Sequence, residues 1–407
     1  LIQLTMKKRI TLLAALATTM FGYSQDFGIK FSGYVKGEYQ FDSRQVDAGR
    51  EGNYMMVPMP NVEDAVGEDY YGNVNFNGYA VEARLRADIS GPEFFGMQSN
   101  AVIEGDFFGT GGSGANGFHL RHGYVELSND KVAILAGQYW HPMFVTNVSP
   151  GVYNFNAGNP FQPFNRSVQL RVSTKGEKMR FIGALVTEMD MKTSGLHPRA
   201  AAISGIPAVH AQLQFGQDDK VVFGIGGNMK SVKDDLKGES LTSLAGMAYA
   251  KAKLGGVTWK VEGIYGSNMT EQLMFGGYGY DNSGDLISNH TLSLWTEFSG
   301  DITESVEWGL FGGFTQDMGF GDDIIAATYS LKLPGLNPSS VDGHTVKNAW
   351  RVAPRIGWKS GNTKLGIELD YTSATYGEVD YKGDINKWDD NATVGNFRAM
   401  LSLTQRF

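Results

Sequence analysis

About sixteen stretches of this chain change from apolar to polar at every residue, and the linkers between them run alternately short and long. From Phe27 the odd positions read Phe, Ile, Phe, Gly, Val, Gly, Tyr and Phe through Phe41, while the even ones carry Lys30, Ser32, Tyr34, Lys36, Glu38, Gln40 and Asp42. The last twelve residues repeat the pattern, with Phe397, Ala399, Leu401, Leu403, Gln405 and Phe407 set against Asn396, Arg398, Met400, Ser402, Thr404 and Arg406. Successive strand side chains point to opposite faces, so this alternation gives each strand one greasy and one wet side.

The same test predicts strands near 27–42, 73–90, 94–107, 117–128, 130–139, 165–174, 177–189, 207–216, 219–231, 241–254, 256–269, 287–299, 303–316, 345–359, 362–376 and 392–407. Short linkers such as Ser90-Gly91-Pro92-Glu93, Ser128-Asn129-Asp130 and Ser360-Gly361 carry tight-turn residues. Long linkers fall near 43–72, 108–116, 140–164, 190–206, 232–240, 270–286, 317–344 and 377–391. Even strand number with short periplasmic turns and long extracellular loops is the habit of outer-membrane barrels. Soluble sandwiches and propellers give no reason for it. Twelve residue steps from Phe27 to Tyr39 cover about 40 Å, or roughly 28 Å of height at a tilt near 45°, which matches the apolar band of such barrels. The expected fold is therefore all-β: one transmembrane antiparallel barrel of about sixteen strands over 25–407. A strand ending on Phe407 suits an interfacial aromatic girdle and an outer-membrane insertion signal.

Composition agrees. No mature stretch approaches the ~18 apolar residues of a spanning helix, and 53 glycines with 12% aromatics suit packed strands. A net charge of -8 argues against a nucleic-acid partner. The absence of Cys excludes disulfides and thiolate metal sites. Met6-Lys7-Lys8-Arg9, the apolar run from Ile10 and the small residues before Gln25 predict an export signal over 1–24, with extra residues upstream of Met6. The expected location is the bacterial outer membrane, with lipid outside the barrel.

A sixteen-strand wall encloses an aqueous channel, so function falls to lumen-facing residues and to any loop in the bore. Parity places Lys36, Arg84, Arg86, Arg171, Arg351, Arg355 and Arg398 on the lumen side. Closure gathers most of them into one sector, where forked guanidinium groups would favour anions. Glu38, Glu82, Asp88, Glu104, Asp106, Glu262, Glu368 and Asp370 also face in, so mutual neutralisation is the competing reading. The acids of the first and last long loops read as solvated rim, with no spacing that matches a calcium loop.

The loop at 140–164 is rich in aromatics, Pro and Asn and nearly free of charge. Trp140, Phe144, Tyr153, Phe155, Phe161 and Phe164 would make it a constriction folded against the inner wall, or a surface packed on a neighbouring subunit or the rim. The strand at 131–137 is apolar on both faces, which fits either burial. His119, Arg121 and His122 break parity and predict a bulge.

Leu120-Arg121-His122-Gly123-Tyr124-Val125, Gly137-Gln138 with Trp140 and Phe144, and the Asn-Pro to Gln-x-Arg run ending at Arg171 resemble the DcaP-like outer-membrane porins. The likeness covers about 75–175. It implies a sixteen-stranded, homotrimeric channel for small anionic solutes, dicarboxylates included, with Arg121, Arg166 and Arg171 as constriction candidates. Some members carry a coiled-coil segment before the barrel; here strand 1 is expected directly after the signal.

No Gly-x-Ser-x-Gly elbow is present and the seven His are scattered, so no catalytic role, metal or cofactor is expected. The expectation is a passive porin for small hydrophilic, anionic solutes. The alternative is a non-conducting barrel acting as an adhesin or as an accessory subunit of a larger complex.

Overall fold

A computed structural model describes residues 27–109, 117–194, 197–320, 344–379, 385–387 and 393–407. The expected export signal at 1–24 lies outside them, as do the acids at 380, 384, 389 and 390. Sixteen antiparallel strands close into a barrel. They are β1 (Gly28–Asp42), β2 (Asn75–Tyr79 continuing as Arg84–Phe94), β3 (Met97–Gly109), β4 (Gly117–Ser128), β5 (Val132–Trp140), β6 (Arg166–Thr174), β7 (Met179–Thr187) and β8 (Ala208–Gly216). The ring continues through β9 (Val221–Val232), β10 (Leu241–Leu254), β11 (Val257–Ser267), β12 (Leu286–Thr303), β13 (Val306–Gly319), β14 (His344–Ser360), β15 (Thr363–Val379) and β16 (Thr393–Arg406). Closure pairs β1 with β16, from Tyr34 opposite Arg406 to Asp42 opposite Arg398.

The two-faced reading of the strands holds. On β1, Phe31, Val35 and Tyr39 are exposed while Lys36, Glu38 and Gln40 are buried. On β16, Phe397, Leu401 and Leu403 face out and Arg398 and Ser402 face in. A soluble sheet would bury the first set; a lipid-facing wall displays it. Asn129 shows how a short turn is made, its side chain accepting from the amides of Lys131 and Val132.

Among the register shifts of the wall, three lie in β2, β3 and β4. The turn expected at Ser90-Gly91-Pro92-Glu93 is instead a register shift inside the β2–β3 ladder, and the chain reverses at Phe95-Gly96, both with positive φ. Pro92 has no N–H for the ladder, so a bulge accommodates it where a regular pair could not. In β2 the pairing with β1 slips by one residue between Glu38–Tyr79 and Tyr34–Arg84. That slip reverses the parity, so Phe76 faces out upstream and Leu85 downstream. The bulge expected around residue 121 is present: Glu104 faces His122, Gly105 faces Leu120, and Arg121 is the inserted residue. Arg121 and His122 are consequently both buried inside the wall.

The hydrophobic core sits within the barrel. The loop 141–165 folds inward, joined by the hairpin of Val46–Gly49 and Tyr54–Pro58 and by the turn around Thr270–Gln272. Met56, Phe161, Met274, Trp295 and Phe311 are all nearly inaccessible there.

Candidate pore interior

The third loop is held to the inner wall mainly through its backbone. Two wall carboxylates accept its amides: Glu297 from Gly151 at 2.6 Å, and Glu368 from Tyr153 at 2.6 Å and Asn154 at 3.1 Å. Wall cations take its carbonyls, with Lys36 on Tyr153 at 2.7 Å, Lys260 on Ser149 at 2.8 Å and Arg351 on Asn159 at 2.8 Å. Hydrogen bonds to charged groups contribute about 1.5–3 kcal/mol each, so this loop is docked as firmly as a core element. Its rings occupy hollows left by glycines: a Cβ on Gly313 would meet Phe161 at 2.5 Å, and one on Gly366 would meet Tyr153 at 2.7 Å.

The first loop is tied down by two of the arginines read from parity. Arg351 reaches the Met56 carbonyl at 3.0 Å, and Arg398 grips Asp42 with both arms of its fork while donating to Asn53 and Gly52 carbonyls. Tyr376 donates to Pro58 O at 2.6 Å. The turn after β11 enters through Phe164 N bonding Gln272 O at 2.8 Å, and Glu271 pairs with buried Lys230. Glu188, beside Thr193 and facing the same Lys230, is pushed above the usual carboxyl range by burial, with the Lys230 charge opposing that shift.

Each cation named from the sequence has a definite place. Arg355 is buried against Glu297 and faces the Tyr153 ring. Lys36 bridges Glu38 and Glu82, each at 2.6 Å. Arg121 spans Glu104 and Asp106 at 2.9 and 2.8 Å, and Arg166 is buried on Asp190. Arg84, Arg86 and Arg171 keep part of their surface open. Arg86 forks onto Asp88, Arg84 sits over the Tyr34 ring, and Arg171 caps the Trp140 carbonyl at 2.7 Å. Of the aromatic set, Trp140 is half-buried, and Phe144, Tyr153, Phe155, Phe161 and Phe164 are buried.

Cavities open from both ends. An outer one of about 750 Å³ lies between the first loop, the β3–β4 tips and residues 189–194. Two inner ones, of about 550 and 360 Å³, reach toward the short-turn end. Phe155 and Phe164 line both the outer cavity and the smaller inner one, so they divide the two. Arg121 lies on the inner side of this aromatic division, 5.6 Å from the Phe155 ring centre, and Arg166 on the outer side, 5.4 Å from that of Phe164.

Two participants were not evident from parity: the Tyr54–Pro58 hairpin and the buried turn Met269–Phe275. The run Tyr54-Met55-Met56-Val57-Pro58 inside an otherwise acidic loop was the available signal, since so apolar a segment does not stay in water.

The barrel fold recurs in solved structures. The outer membrane channel DcaP of Acinetobacter baumannii superposes with a TM-score of 0.67 at 14% identity, covering 94% of this chain and 97% of that one. The chain has the fold of that channel. OmpT of Vibrio cholerae, in its trimer form, gives 0.57 at 8% identity over 94% of this chain and 100% of its own. An anion-selective porin from Comamonas acidovorans gives 0.55 at 11% identity over 94% and 100%. No family model matches the chain, and no curated protein matches it in sequence. At these identities the likeness to DcaP concerns architecture.

Proposed function

We propose that the protein is an outer-membrane porin, a passive diffusion channel for small hydrophilic solutes that prefers anions. The observation that carries this reading is a closed barrel, apolar outside and polar inside, entered by cavities from opposite ends. Preference for anions is supported by what lines those cavities. In the smaller inner one Lys36, Arg84, Arg121, Lys364 and Arg406 line the space; Glu38, Glu82, Glu104, Asp106 and Glu307 partner the first four, and Arg406 has no carboxylate partner among the described residues. An unpaired cation in a low-dielectric passage lowers the barrier for anions. The third loop is the constriction in this reading, with Phe155 and Phe164 at its narrowest plane. An export signal at 1–24, insertion guided by Phe407 and assembly as a homotrimer complete it; the trimeric Vibrio cholerae barrel of the same fold supports the last point.

Planar-bilayer recording of the refolded protein tests the proposal. Ohmic steps are expected, with a reversal potential displaced toward anions under a KCl gradient. A silent membrane would favour a non-conducting barrel, adhesin or accessory subunit. The observation behind that second reading is the filled interior, where Glu262, Ser293, Thr315 and Glu297 have no accessible surface.

A further inference from the structure

We infer that the outer cavity is a capture site for organic anions with a single carboxylate on an apolar or aromatic body. The inference rests on the solute-channel reading and names the solute class. The cavity has the size and lining of a small-molecule site, about 750 Å³ with mostly apolar walls. Tyr54, Met56, Phe164, Met191 and Leu273 supply those walls. Positive charge is confined to Arg50, Arg166 and Lys192, against Asp190 as the one lining carboxylate.

The polar groups are not equally available. Arg50 donates to the Gly109 carbonyl and pairs with Glu51. Arg166 commits Nε and Nη2 to Asp190, but its Nη1, on a residue 2% exposed, has no partner among the described residues. Exposed Lys192 has no carboxylate partner among them either. One anionic group can be satisfied at the Arg166–Lys192 edge by charge-assisted hydrogen bonds. A second carboxylate on the same solute, pressed against Tyr54, Met56 and Leu273, would find only the otherwise unpartnered Tyr54 hydroxyl, one neutral donor against the desolvation of a full charge. An aryl or alkyl body gains there instead, about 25 cal/mol for each Å² removed from water.

Equilibrium dialysis of the folded full chain in nanodiscs against 2-naphthoate, acetate, succinate and 1-naphthylmethylammonium tests this. Naphthoate should bind, and the other three at least about tenfold more weakly, one charge-assisted hydrogen bond or a buried ring being enough for that ratio. Lys192→Glu, at an exposed position, and Met191→Asp, in the apolar wall, should each weaken naphthoate about tenfold. Equal binding of naphthoate and succinate, or naphthoate binding indifferent to both substitutions, overturns the inference. Dialysis does not require conduction. Ohmic channels without naphthoate binding sink the capture site alone, whereas naphthoate binding to a silent barrel sinks the porin reading alone.

Discussion

Arg351 Nη1 donates to the carbonyl of Asn159 at 2.8 Å, across the interior from wall to third loop. The same guanidinium holds the Met56 carbonyl of the first loop and pairs with Asp370 at 3.2 Å. One side chain therefore joins two loops to the wall, in a place from which water is nearly excluded.

Replacing Arg351 by Met should undock both loops while leaving the barrel closed. Removing one partner of a buried pair costs about 3–5 kcal/mol, because Asp370 loses its counter-charge and two carbonyls lose their donor. Limited proteolysis should then cut within 141–165 in a chain that still migrates as a folded barrel. An uncut loop would show that the other anchors suffice.

Selectivity should respond to the cations that remain wet. Arg406 is exposed and Lys364 half-buried in the inner cavity. Charge reversal at both, to Glu, should move the reversal potential toward cations in a salt gradient. An unchanged potential would take this cavity out of the permeation path.

Filling a glycine hollow should loosen the constriction from the wall side. Gly366→Val places methyl groups where the Tyr153 ring lies, an overpacking cost of about 1–3 kcal/mol. Single-channel conductance should rise, and Gly37→Val, at an exposed β1 position with open space around it, should leave it unchanged. Equal conductance in all three proteins would detach the Tyr153 contact from pore size.

Acid should weaken the docked loop. His141 is buried, its Nδ1 accepting from Met143 N, and burial followed by the His210, Arg171 and Lys230 charges holds it well below the ordinary imidazole range. An undocked His141 takes up a proton as pH falls below about 6.5, while the docked one stays neutral. Stability from this group is therefore present above about pH 6.5 and is lost progressively below it. Protease sensitivity of 141–165 should increase from pH 7.5 to pH 5. A flat profile would mean that the imidazole titrates freely in the docked state.

Parity alone was enough to recover the wall, because each strand carries its own record of what lies on either side. Val35 and Leu401 declare lipid, and Lys36 and Ser402 declare an interior, without reference to any other segment. The apolar loop at 140–164 was legible for the same local reason. What the interior contains is a non-local matter. Arg351, Arg398 and Lys36 point inward as their spacing requires, but whether they meet water or a carbonyl depends on the distant residues Asn159, Asn53 and Tyr153. Arg406 and Arg398 occupy the same strand face in the sequence pattern, yet one is exposed and the other buried. The β2 slip at 80–83 was hidden because the change of apolar face, from Phe76 to Leu85, is spread over the small residues Gly78, Ala80 and Ala83, which mark neither side.

The shared position of Phe155 and Phe164 between outer and inner cavities carries a kinetic implication. A solute taking that route meets two rings in close packing, and passage depends on how often they swing aside. Flux through a rigid aperture follows solvent viscosity; flux through this one would follow the activation enthalpy of side-chain rotation, and would fall steeply on cooling.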